Sequence, residues 1–218
     1  MMQDTRCRAT GIWHPVSCFD IFTTVKPIAL LSLKKAMTMR ENIRILAIAG
    51  SLRATSSNHA IVKEAASLAP AGVEVIIYEG LGNVPLFNDS NDAPEGVADL
   101  RRQLAAADGV LICTPEYAFG VPGVLKNAID WTVSSGEFDN KPVAVIAAAT
   151  GGDKALASLL LTFKALSANV AEQATLLISF VRSKLDERGK VKDAATQRAM
   201  QTVMEALVKT IQTNTAVL

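Results

Sequence analysis

From residue 43 onward the chain alternates between short runs that are apolar almost throughout and longer stretches whose apolar residues recur every three or four places. The short runs cover 43–49, 73–78, 109–114, 143–149 and 174–181. A strand that is apolar on both faces belongs inside a parallel sheet covered by helices. The longer stretches predict helices over 57–69, 95–107, 122–133, 153–168 and 193–213, with Ser57 or Asn58 capping the first and Pro70 and Gly72 closing it. Pro122 and Gly123 suit the first turn of the third helix. Ala195, Ala199, Val203, Ala206, Leu207 and Ile211 line one side of the last. Five strands alternating with helices predict an open parallel α/β sheet with helices on both faces. Right-handed crossovers then place a ligand beyond the carboxyl ends of the strands, where the winding direction reverses.

Residues 1–38 break this rhythm, although they carry two of the three cysteines and one of the two histidines. The apolar run 28–31 is followed, not preceded, by Lys34 and Lys35, the wrong order for a secretory signal. Met37 or Met39 is a natural start, so 1–38 is expected to be an N-terminal extension, disordered or translated from a start codon set too early, and 39–218 the folded domain. The 218 residues suit one domain with an appendage. A net charge of +1, without runs of like charge, points away from nucleic acid and acidic membranes. No apolar stretch approaches the ~20 residues that span a bilayer. Cys7, Cys18 and Cys113 form no C-x-x-C pair and no cluster with metal-ligand spacing, so no metal site is expected. Cys113 ends an apolar run and reads as a small buried hydrophobe.

Three loops leave the strand ends with unusual chemistry, 50–58, 114–123 and 150–153. In the first, Gly50 permits a sharp exit from the strand, and the following helix directs free N–H groups at the loop. Ser51, Thr55, Ser56 and Asn58 offer short donors, and Arg53 adds a counter-charge in a fork that suits phosphate. The loop is neither a Walker motif nor G-x-G-x-x-G, and it suits a terminal phosphomonoester. An ordinary helix-capping turn has the same composition, so this loop by itself leaves phosphate binding open. In the second loop two prolines and two glycines hold a defined shape. Pro115 has no N–H, whereas the N–H groups of Glu116 and Tyr117 can meet a ring carbonyl or ring nitrogen. Tyr117 and Phe119 supply flat apolar surface there, or are core or interface residues.

Gly50-Ser51-Leu52-Arg53, Ser56-Ser57-Asn58, Pro115-Glu116-Tyr117 and the run from Pro122 to Trp131 together resemble the NADPH-dependent FMN reductase family, over about residues 43–181. That family includes flavin, quinone, chromate and azo-dye reductases. The resemblance implies a flavodoxin-like three-layer α/β/α sandwich whose five-stranded parallel sheet has the order 2-1-3-4-5. It implies FMN as cofactor and NADPH or NADH as reductant. It assigns Ser51, Arg53, Ser56 and Asn58, with Ser57 among them, to the FMN phosphate, and Pro115, Glu116, Tyr117 and the adjoining Ala118 to the loop along the isoalloxazine. Thr150 and Gly151 fall where a third loop borders the ring, while Lys126, Asn127, Asp130 and Trp131 read as structural. Many members carry Asn at the position of Ala118, and the third loop is shorter than the glycine-rich form of some relatives.

The implied function is hydride transfer from NAD(P)H to bound FMN and onward to a small-molecule electron acceptor such as a flavin or quinone. No side chain is expected to act as an indispensable acid or base. The two histidines are His14 and His59, and His59 is expected to cap or solvate the first turn of its helix. The family pattern implies a homodimer or homotetramer in the cytoplasm, with 121–133 and 80–95 as contact candidates. The alternative is a flavodoxin-type electron carrier without NAD(P)H activity, against which near-neutral charge and Arg53 argue.

Overall fold

The computed structural model describes residues 42–90 and 92–215. The extension expected over 1–38, with Cys7, His14 and Cys18, lies outside them. In chain order the elements are β1 (Ile43–Ala49), α1 (Ser57–Ser67), β2 (Val73–Ile77), α2 (Glu95–Ala106), β3 (Gly109–Thr114), α3 (Gly123–Asp130), β4 (Val143–Ala148), α4 (Asp153–Ala165), β5 (Thr175–Ile178), α5 (Val181–Lys184) and α6 (Ala194–Thr215).

The strands form one parallel sheet in the order β2-β1-β3-β4-β5. Burial explains the order. Every residue of β3 and β4 is buried, and β1 is buried except at Arg44, so these three take the middle. The half-buried β2 and β5 take the edges. One face is covered by α1 and α6, through Ile61, Val62, Met200, Val203 and Leu207 against Ile45, Leu111 and Ile146. The other is covered by α2, α3 and α4, through Leu100, Leu104, Leu125, Ile129, Leu159 and Phe163 against Leu46, Ile48, Ile112 and Val145. Each side chain withdrawn from water in this way stabilises the fold by about 1.5–3 kcal/mol. Among the described residues no helix is long and apolar enough to cross a membrane.

Register brings the loops to one edge. Ala49 pairs with Cys113, Cys113 with Ile146, and Ala148 with Ile178, so β1, β3 and β4 end almost level.

Three expectations are corrected. The first helix is capped by Ser56, whose Oγ accepts from the Asn58 N–H, rather than by Ser57 or Asn58. On α6 Val203, Leu207 and Ile211 face inward as expected and Ala199 and Ala206 are half-buried, but Ala195 is exposed, and Thr196, Met200, Met204 and Val208 complete the inward stripe. The alanines satisfy either phase of the helix, and the larger side chains that fill the groove against the sheet decide it. β5 stops at Ile178 instead of running to Val181: Phe180 takes a left-handed φ of 52°, and the N–H groups of Phe180 and Val181 donate to Thr150 O (3.2 Å) and Ala149 O (3.1 Å). Phe and Val suit a strand locally, but those bonds turn the chain over the end of β4.

Gly50 is required for space rather than for a left-handed backbone. Its N–H donates to Cys113 O at 2.8 Å, and a Cβ would lie 2.8 Å from Leu125 Cδ2, the tip of a buried side chain. Gly50→Ala is expected to lower stability by about 1–3 kcal/mol, read as a lower urea midpoint at unchanged slope.

Candidate functional site

The first loop is tied to itself by short bonds that leave several donors free. The Ser56 N–H donates to Arg53 O at 2.8 Å, the Arg53 N–H to Ser51 Oγ at 3.4 Å, and His59 Nε2 to Ser51 O at 2.7 Å. A carbonyl only accepts, so His59 carries its proton on Nε2 and anchors the loop, a role beyond the expected capping of its own turn. The N–H groups of Thr55 and Ser57 have no partner among the described residues. The Arg53 guanidinium is exposed and pairs with no carboxylate among them. An arginine beside free amides at a helix start is a donor set for an anion.

Asn58 is turned inward. Its Nδ2 donates to Ala148 O at 3.2 Å, and its Oδ1 accepts from Cys113 Sγ at 3.1 Å. Both ends of the amide are thus engaged inside the fold, and the side chain sets the position of the loop from beneath. Cys113 is fully buried, and burial pushes its thiol pKa up, as its reading as a small hydrophobe requires.

In the second loop, Tyr117 and Gly120 exchange two backbone bonds of 3.0 Å around Ala118 (φ 49°) and Phe119 (φ 61°). This is a two-residue hairpin whose central positions favour Asn and Gly. The Tyr117 N–H expected to face a ring is used to close that hairpin, whereas the Glu116 N–H has no partner among the described residues. Phe119 is 80 % exposed, so it is not a core residue.

The Glu116 carboxylate joins the second loop to the third. α4 starts after Gly152, which has no side chain to cap it, and Glu116 Oε2 accepts from the Ala155 N–H in its first turn at 2.9 Å. Gly152 is itself obligatory, with a φ of 110° and a position where a Cβ would stand 2.8 Å from Leu177 Cδ1.

These loops enclose a cavity of about 400 Å³. Of the residues singled out in the sequence, Arg53, Ser56, Ser57, Asn58, Pro115, Glu116, Tyr117 and Thr150 line it. Ser51, Ala118 and Gly151 stand outside its lining: Ser51 braces the first loop, Ala118 forms the hairpin corner, and the Gly151 carbonyl accepts from Ser179 Oγ at 3.5 Å. Phe180, Val181, Arg182 and Ser183, from the turn after β5 and the short helix α5, complete the wall; the sequence pattern does not point to them, since the apolar run 174–181 reads as strand to its end. The one available signal was the polar pair Arg182-Ser183 straight after an apolar run. Arg53, Ser56 and Ser57 contribute charge and donors, whereas Pro115, Ala148, Ala149 and Phe180 contribute apolar wall. That lining fits a ligand with an anionic end and a flat apolar body.

The run from Lys126 to Trp131 makes structural bonds within α3 and to the loop around Pro85, in keeping with its structural reading. Lys126 pairs with Asp130 at 2.6 Å. Asn127 Nδ2 and Trp131 Nε1 both donate to Pro85 O at 2.9 Å, and Asn127 Oδ1 accepts from the Phe87 N–H at 2.8 Å. Phe87 then meets Trp131 edge-on, with ring centres 5.2 Å apart.

Removal of the bridging carboxylate has a defined outcome. Glu116→Ala is expected to destabilise by about 1 kcal/mol through loss of the α4 cap, and Glu116→Gln, which keeps an accepting oxygen, by much less. Urea denaturation of the two variants in parallel measures the difference.

The family model for NADPH-dependent FMN reductase matches residues 43–182. The chain is 34% identical over 177 residues to an NAD(P)H-dependent FMN reductase of Pseudomonas aeruginosa, covering 78% of this chain and 95% of that one. It is 32% identical over 168 residues to a quinone reductase of Escherichia coli K12, covering 72% and 89%. Among solved structures, the flavoenzyme NAD(P)H:(acceptor) oxidoreductase FerB of Paracoccus denitrificans superposes with a TM-score of 0.71 at 30% identity, covering 78% of this chain and 98% of that one. Motif and sheet order agree with these likenesses: the chain belongs to the NADPH-dependent FMN reductase family.

Proposed function

We propose that this protein is an NAD(P)H-dependent FMN oxidoreductase that reduces a small acceptor of the quinone or flavin type. The observation that carries the reading is the convergence, at the level ends of β1, β3 and β4, of a cavity with Arg53 and free amides on one side and apolar wall on the other. Bound FMN would supply the redox chemistry, taking hydride from NAD(P)H and passing electrons to the acceptor. The protein binds, orients and shields. Arg53, Ser56 and Ser57 hold the phosphate, with Ser51 and Asn58 fixing the loop that presents them. The free Glu116 N–H meets the ring edge, and Pro115, Tyr117 and Thr150 border the ring, with Ala118 and Gly151 shaping their loops. No side chain of the cavity is required to move a proton between heavy atoms of a substrate. Dependence on a pyridine-nucleotide pool supports a cytoplasmic location.

Self-association is part of the same reading, with the 80–95 loop as the stronger of the two expected contact candidates. Most of the apolar residues of 121–133 are absorbed by the protomer, with Leu125, Ala128, Ile129 and Trp131 buried and Val133 left exposed. Leu86 (84 % exposed), Phe87 and Phe119 remain outside, on the loop held by Asn127 and Trp131 and on the hairpin before α3. Exposed apolar side chains on these two loops suit contact with a second copy.

Two outcomes are expected. The purified protein reconstituted with FMN retains a yellow flavin spectrum and oxidises NADPH, followed at 340 nm, while Arg53→Ala loses flavin on dialysis; unchanged flavin content in that variant counts against the phosphate assignment. Light scattering gives the mass of a dimer or tetramer, and a Leu86→Ser, Phe119→Ser double variant shifts it toward the monomer.

A further inference from the structure

A second arginine, Arg182, lines the same cavity as Arg53. Like Arg53, it pairs with no carboxylate among the described residues. Its position is built rather than incidental. Backbone bonds from Phe180 and Val181 stitch the segment to Thr150 and Ala149 of the third loop. The Val181 side chain is buried in the core, and the Ser183 N–H and Oγ both bond Phe180 O, at 2.9 and 2.8 Å. With Val181 fixed inward, Arg182 faces out against the cavity. Phe180 holds this turn in a left-handed conformation that bulky residues seldom adopt, the kind of local strain that persists where the surroundings over-determine it.

The acids nearby are already engaged. Glu116 lines the cavity but accepts from the first turn of α4, and Asp193 accepts from Lys184 and Thr196. A phosphomonoester carries between one and a half and two negative charges at neutral pH. Arg53 balances one of them. We infer that Arg182 is the second cation of a phosphomonoester subsite in this cavity, sharing with Arg53 the phosphate of a bound nucleotide. The inference rests on the FMN oxidoreductase reading. Two phosphomonoesters are in play, the 5′-phosphate of FMN and the 2′-phosphate of NADPH, and each has a counterpart without it, riboflavin and NADH.

The test uses the full chain as wild type, Arg182→Ala, Arg182→Lys and Arg53→Ala. Kd values for FMN and riboflavin come from flavin-fluorescence titration, and KM values for NADPH and NADH from the flavin-saturated enzyme. The expected result is a rise in FMN Kd of about tenfold or more in Arg182→Ala, with riboflavin unaffected and Arg182→Lys intermediate. The gap between wild type and Arg182→Ala should narrow as pH falls below about 6, where the phosphate becomes a monoanion. A rise in KM for NADPH but not NADH, with FMN Kd unchanged, also supports the subsite and assigns its phosphate to the pyridine nucleotide. Wild-type values for both ligands in Arg182→Ala, in a protein that still binds FMN, overturn the role of Arg182 alone. A wild-type protein that takes up no flavin overturns the FMN reading and this inference with it. An unchanged denaturation midpoint confirms that the exposed Arg182 contributes nothing to folding.

Discussion

The Asn58 amide is the point where helix, sheet and cavity are locked together. It sits at the start of α1, yet its two polar ends bond the carbonyl of Ala148 at the end of β4 and the thiol of Cys113 near the end of β3. Moving the helix away from the strands would leave a buried amide and a buried carbonyl unpaired, at about 1–3 kcal/mol for each group. That penalty keeps the donors of the first loop at a constant distance from the second and third loops. The thiol serves as a donor that is small, fully enclosed and, with its pKa raised by burial, chemically quiet.

The same economy recurs above the sheet, where each loop is braced by its neighbour. His59 reaches back to the Ser51 carbonyl, Glu116 caps the helix that follows the third loop, and the backbone after β5 bonds the carbonyls of Ala149 and Thr150. The cavity is therefore rigid where a cofactor would need orientation. Of the seven described non-glycine residues in left-handed conformations, Ala118, Phe119 and Phe180 belong to the loops that form it. Such residues cost of order 1 kcal/mol apiece, and the bracing bonds around them offset it. Preorganisation of this kind is what a protein contributes when the cofactor carries the chemistry.

Most of the architecture was legible along the chain because its causes are local. Burial on both faces makes β3 and β4 apolar throughout and β1 apolar but for Arg44, and burial of one stripe gives α2 and α4 their three-to-four spacing, so existence and type of the five strands and five longer helices follow from period. The family motifs carried the strand order and the location of the site. Eight of the eleven singled-out residues line one cavity because they occupy strand ends that the parallel register must bring level.

What the chain could not announce was partnership. A carboxylate in the Pro115-Glu116-Tyr117 run reads as a ligand group, and only the packed structure shows it bonded to a helix that begins almost forty residues later. Asn58 reads as a phosphate donor until the strands beneath it are in place. The phase of α6 and the turn at Phe180 were settled by side chains and carbonyls from other elements, against what Ala195 and the run 174–181 suggested. Sequence by itself determined the layered α/β class, the strands and the family, since period and motif are properties of neighbouring residues. Tertiary structure alone decided which polar groups meet, and so brought Arg182 to the cavity that Arg53 lines, because a hydrogen-bonding group takes whichever partner the fold carries to it.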